Sequence, residues 1–221
     1  MPDLTLVEKV IVWAIPVLFA ITVHEVAHGW VASRLGDQTA RSMGRLTLNP
    51  IKHIDPLGTV ALPVILFYLS SLSGGGVIFG WAKPVPVNWQ NLGHPRRDMA
   101  LVAAAGPCAN LVMLLVWAML AKLITVVTHN TVWVTELVLI MCSIGITINI
   151  VLMVLNLFPV LPLDGGRIMT SLLPKRLAIV YARLEPFGLL FLVLLLFSGI
   201  LGNILGPVTS SIEGLVFKLI N

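Results

Sequence analysis

Val7-Glu-Lys-Val-Ile-Val-Trp-Ala-Ile-Pro-Val-Leu-Phe-Ala-Ile-Thr-Val-His-Glu-Val-Ala-His-Gly-Trp-Val31 decides the fold. It is an apolar run long enough to cross a bilayer as a helix, which takes about 20 residues. Its second half carries His24, Glu25 and His28. Ionisable groups inside a spanning helix are costly to bury and mark function by default. On a helix, His24 and His28 stand one turn apart on one face and can hold one metal ion. Glu25 flanks the pair, within reach of a water at that ion. The competing reading is a chance match in which two buried histidines are satisfied by neighbours.

The rest of the chain agrees with a membrane setting. Its 221 residues are 57% hydrophobic and 11% charged, and the mean hydropathy is +0.98. A soluble domain carries about 25% charged residues, so this chain cannot coat a surface of its size with charge. The same figures exclude a disordered chain, a coiled coil and a disulfide scaffold. The formal net charge is +4, but the basic residues sit between apolar runs. Membrane topology therefore explains them before nucleic acid does. Cys108 and Cys142 lie inside apolar runs, where cysteine acts as a small hydrophobe. Asp3 and Glu8 stand where a signal peptide would carry positive charge.

Further apolar runs cover about 57–69, 99–127, 132–158, 186–201 and, more weakly, 204–220. The expected fold is an all-α polytopic membrane protein of about five to six transmembrane helices, in one domain over 1–221. Its catalytic core would span about 7–170 and its C-terminal helices about 184–220. Basic clusters follow the first run (Arg34, Arg41, Arg45, Lys52), precede the third (Lys83, Arg96, Arg97) and follow the fourth (Arg167, Lys175, Arg176, Arg183). Placing all three in the cytoplasm satisfies the positive-inside rule. Both ends of 57–92 are then cytoplasmic, which makes it a re-entrant segment, tolerated where protein or water covers its backbone; the other reading is a full span over 57–71, which would put Lys83, Arg96 and Arg97 outside. Within it, 77–88 alternates and is broken by Pro84 and Pro86. It is expected as a small β element confined to an edge, either pairing with an unwound substrate or plugging the re-entrant loop.

His24-Glu-Val-Ala-His28 is the H-E-x-x-H pattern of zinc peptidases. A catalytic zinc needs a third protein ligand and a fourth position left open. Among the few acidic residues, Asp164 lies where Pro159 and Pro162 end the fourth run, on the same side as the histidines. It reads as the third ligand or as a helix N-cap, and the two roles are not exclusive. His53 and Asp55 form a His-x-Asp, read as a solvated loop pair ahead of a second metal site. Gly106 and Pro107 read as a close helix approach, Asn110 as packing or substrate contact, and Arg167 as a partner for Asp164 or a topology charge.

Three stretches together, His24-Glu-Val-Ala-His28, Ala105-Gly-Pro-Cys-Ala-Asn110 and Asn156-Leu-Phe-Pro-Val-Leu-Pro-Leu-Asp-Gly-Gly166, resemble the signatures of the site-2 protease family, in order. That family comprises zinc-dependent intramembrane proteases. The resemblance implies that His24, His28 and Asp164 bind one zinc per chain, that Glu25 is the catalytic base and that Asn156 assists near the reacting carbonyl. It implies transmembrane protein substrates, regulated intramembrane proteolysis and a compact member without a PDZ or CBS domain. The expected location is the plasma membrane of a prokaryote, multi-pass, with the site open to the cytoplasm. The alternative is a non-catalytic metal-binding membrane protein, a transporter or a pseudoprotease. A transporter should carry ionisable residues on across the bilayer, and a pseudoprotease should have lost Glu25 or a ligand.

Overall fold

Thr5 starts the first helix with a reciprocal cap. Its hydroxyl accepts the Glu8 N–H, and the Glu8 carboxylate accepts the Thr5 N–H at 2.6 Å. Helix α1 (Leu6–Arg34) then runs 29 residues, roughly 43 Å at 1.5 Å per residue. The computed structural model describes residues 4–61, 65, 68, 80, 82–128 and 133–220. After α1 come a short α2 (Thr39–Ser42), a 3₁₀ turn at Pro50–His53, a π-helical turn at Pro56–Ala61 and a second 3₁₀ turn at Trp89–Asn91. Then follow α3 (Pro95–Val127), α4 (Trp133–Asn156), α5 (Asp164–Leu172), α6 (Lys175–Ala182), α7 (Glu185–Phe197) and α8 (Ile200–Ile220). Pro95 pre-sets the first turn of α3, and Asp98 accepts the His94 N–H at 2.7 Å.

α1 packs on α3 and α4, α3 on α4 and α5, and α8 lies against α4. Leu114 and Ala118 of α3, Ile146 and Ile150 of α4 and Val216 of α8 form one buried apolar cluster. Four described helices are long and apolar enough to cross a membrane; the pair α6 and α7, bent by 63°, makes a fifth if it counts as one span. Only 22% of the apolar window of α1 and 17% of that of α3 is buried. A helix apolar all round with so little of it covered needs lipid as its solvent. The protein is therefore an all-helical integral membrane protein.

The β element expected at 77–88 does not form where it is described: no strand occurs among the described residues, and 82–88 runs as irregular backbone. Pro84 and Pro86 have no N–H to give a ladder, and side chains or loop carbonyls take other donors. Lys83 N–H donates to the His53 carbonyl at 2.9 Å, Val85 N–H to Glu25 Oε2 at 2.8 Å, and Asn88 N–H to Asp37 Oδ2 at 2.8 Å. Residues 62–64, 66–67, 69–79 and 81 lie outside the described residues, and with them the middle of the expected re-entrant segment.

Asp37 is the anchor of this strap. Its fully buried carboxylate also accepts from the Thr39 hydroxyl and the Asn91 amide. Burial pushes its pKa up, but the bonds from Thr39, Asn91 and Asn88 outweigh that and hold it below the usual carboxylate value. The strap is thereby tied to the loop that follows α1. Gly29 lets it seat on the helix: a Cβ there would stand 2.7 Å from Val85 Cγ1 and 2.6 Å from Leu46 Cδ2.

Candidate metal centre

His24 and His28 project from α1 toward α3 and α5, as their spacing predicts. His24 Nε2 lies 3.0 Å from His28 Nε2. Asp164 Oδ2 lies 3.2 Å from the first and 3.4 Å from the second. The three residues form a group that could hold one metal ion. Donors bonded to zinc at about 2.0–2.1 Å in a tetrahedral array stand roughly 3.3 Å apart, so the separations fit.

Each imidazole is oriented through its other nitrogen. His24 Nδ1 pairs with Asn110 Oδ1 at 2.5 Å, and His28 Nδ1 with the Val102 carbonyl at 2.7 Å. Both partners are acceptors, so each Nδ1 carries the proton and each Nε2 presents a lone pair to the centre. Asn110 is itself held. Its Nδ2 donates to Asn149 Oδ1 at 2.9 Å, and Asn149 Nδ2 donates to the Gly145 carbonyl at 2.8 Å. Both asparagines are completely buried. Asn110 thus sits behind His24, buried between helices and away from the cavity lining, and contacts His24 where a substrate contact was one reading.

Asp164 is the first residue of α5, and no side-chain cap is made there. The capping alternative is therefore not realised. Its Oδ2 is buried without a hydrogen-bond partner among the described residues. An orphaned carboxylate oxygen facing two imidazole lone pairs is costly unless a cation joins them. Gly165 and Gly166 let α5 start against the preceding turn, with Cβ positions only 2.2 Å from the Leu157 carbonyl oxygen and 2.4 Å from Leu161 N. Gly106 does more than allow close helices. A Cβ there would sit 2.4 Å from His28 Nε2 and 2.5 Å from His24 Nε2, inside the space between the donors.

A cavity of about 290 Å³ opens beside the centre, lined among others by Glu25, Val85, Asn156, Asp164 and Arg167. Glu25 is fixed in orientation by the Val85 N–H. Asn156 reaches the cavity wall, with its Nδ2 donating to the Leu152 carbonyl of its own helix at 2.9 Å. Arg167 does not pair with Asp164: it bridges Glu185 at 3.5 Å and lies over the Trp89 ring at 5.0 Å. Among the described residues His53 and Asp55 belong to no metal-binding group, and they are not a solvated pair. His53 is buried and bonded to the Thr47 carbonyl at 2.9 Å, and Asp55 caps the turn at Leu57 and Gly58.

Val85, Asn149 and the steric role of Gly106 escape the sequence reading. Asn149 carried a signal, because an asparagine inside an apolar helix must find a partner. Asn110→Ala is expected to weaken zinc affinity by roughly 10–100-fold, the usual loss for an outer-shell partner of a metal-binding histidine. Competition against a chelator checks this. Wild-type affinity in Asn110→Ala would remove the orienting role.

The model of Peptidase family M50 matches residues 12–199. "Putative zinc metalloprotease YwhC" of Bacillus subtilis (strain 168) is 35% identical over 93% of this chain and 89% of its own length. "Putative zinc metalloprotease Rip2" of Mycolicibacterium smegmatis is 30% identical over 81% of this chain and 64% of its own, and its Mycobacterium tuberculosis (strain H37Rv) counterpart is 28% identical over 80% and 63%. No solved structure matches significantly. With the family model covering most of its length, the chain belongs to Peptidase family M50, the site-2 proteases, and is a membrane metalloprotease.

Proposed function

We propose that this protein is a zinc-dependent endopeptidase that hydrolyses peptide bonds within or near transmembrane segments of membrane proteins, the reaction of regulated intramembrane proteolysis. The observation that carries the reading is the convergence of His24 Nε2, His28 Nε2 and Asp164 Oδ2 beside Glu25 in one cavity. His24, His28 and Asp164 hold one zinc per chain. When bound, zinc supplies Lewis-acid polarisation and a nucleophile at neutral pH. Glu25 takes the proton of the attacking water and returns one to the leaving amine. The Val85 N–H occupies Glu25 Oε2 and so aims the carboxylate. Asn156 keeps one amide N–H on Leu152; the second is available to a developing oxyanion.

Intramembrane helices hide their amides in their own bonds, so the substrate must unwind before it enters. The cavity opens to the cytoplasmic side of a prokaryotic plasma membrane, where water reaches it; the basic clusters beside the apolar runs support that side. Purified protein mixed with single-span substrates is expected to cut them within the apolar segment and to stop when a chelator is added. Cleavage that persists in chelated, metal-free protein contradicts the reading. So does metal flux into vesicles with no cleavage of any substrate, the behaviour of a transporter.

A further inference from the structure

A second cavity, of about 460 Å³, lies on the other side of the strap that carries Val85. Arg45, Lys52 and Lys83 line it, with Met43, Ile51 and Ile54 as apolar walls. Arg45 is nine-tenths buried. Its Nη2 donates to the Lys83 carbonyl at 3.0 Å and more weakly to that of Pro84 at 3.4 Å. Its buried Nε has no hydrogen-bond partner among the described residues. A guanidinium can only donate, and a buried donor left unmade is costly. Arg45 and two lysines line the cavity, and no acidic residue is among its described lining residues, which suits an anion with several acceptor oxygens.

The surroundings say where that anion comes from. α1 ends with Arg34 lying 5.1 Å from the Trp30 ring, and Trp30 is half exposed. Tryptophan and arginine so placed mark the level at which a helix leaves the bilayer. Met43 and Ile51, at the cavity, are 62% and 73% exposed. Basic side chains interleaved with exposed apolar ones make a surface that lies in the headgroup layer. We propose that the cavity lined by Arg45, Lys52 and Lys83 binds the phosphate of an anionic phospholipid, with the glycerol and upper acyl chains against Met43, Ile51 and Ile54.

The site is coupled to the metal centre through the strap. Pro84 lines both cavities. Arg45 holds the Lys83 and Pro84 carbonyls, and the next residue, Val85, holds Glu25. A headgroup on Arg45 and Lys83 braces the strap against the catalytic cavity.

The test is retention of lipid by the full chain, read by native mass spectrometry as phosphatidylglycerol is titrated against phosphatidylcholine. Wild type is expected to keep one phosphatidylglycerol that phosphatidylcholine does not displace. The Lys52→Gln/Lys83→Gln variant should bind it on the order of 30-fold more weakly, since each basic side chain near an anionic surface contributes a factor of about five. Both lysines are exposed, so this variant folds even if Arg45→Gln, which should lose the lipid as well, does not. Wild-type retention by the double lysine variant overturns the proposal. Displacement of the lipid by millimolar inorganic phosphate would make this a free-anion site, and displacement by an acidic peptide a substrate exosite; either overturns the lipid assignment. Because the readout is lipid binding, it stands apart from whether the chain cuts peptides.

Discussion

Glu25→Gln is expected to abolish cleavage while leaving zinc bound. The three donors that converge are His24, His28 and Asp164, and Glu25 is not among them. The amide keeps the shape and still accepts the Val85 N–H through its carbonyl oxygen, so the strap stays seated. It cannot accept a proton from water. Losing a positioned general base costs roughly 10²–10⁴-fold in rate, and the loss should fall at the upper end. Among the described residues lining the cavity, the other carboxylate is Asp164, which is engaged with the two imidazoles. Zinc content and cleavage of a transmembrane substrate are to be measured on one preparation. A Glu25→Gln protein cutting at near wild-type rate would sink the assignment of the base.

Gly106→Ala should empty the centre without touching a ligand. The added carbon would stand 2.4–2.5 Å from the two Nε2 atoms, and neither ring can retreat freely. His24 is locked by Asn110 and His28 by the Val102 carbonyl. The methyl group therefore displaces the donors or fills their centre. Zinc affinity is expected to fall by at least about 100-fold, beyond the usual outer-shell loss, and cleavage with it. Circular dichroism separates this from unfolding, because alanine is a better helix former than glycine. A helical Gly106→Ala protein with wild-type zinc affinity would show that the donors are not where they stand in this structure.

The convergence of the candidate metal donors was largely legible from the chain because helical spacing is rigid. A spacing of four positions from His24 to His28 leaves little choice of geometry, and prolines before Asp164 announce a helix break. What lay behind the ligands was less legible, since it depends on how helices cross. Asn110 meets His24 across 86 positions and Asn149 across 39, and no local period encodes such a meeting. The segment 82–88 misled for a physical reason. Its alternation is real, but two prolines and competing acceptors on Glu25, Asp37 and His53 leave a strap with no ladder.

The proposed hydrolysis depends on one zinc held by His24, His28 and Asp164. The direct test is zinc stoichiometry and substrate cleavage for wild type and for His24→Ala, His28→Ala and Asp164→Ala, before and after chelation and zinc return. One zinc per wild-type chain is expected, with cleavage lost with the metal and regained with it, and each variant depleted in both. Full zinc occupancy and activity in Asp164→Ala, or cleavage by metal-free wild type, would contradict this.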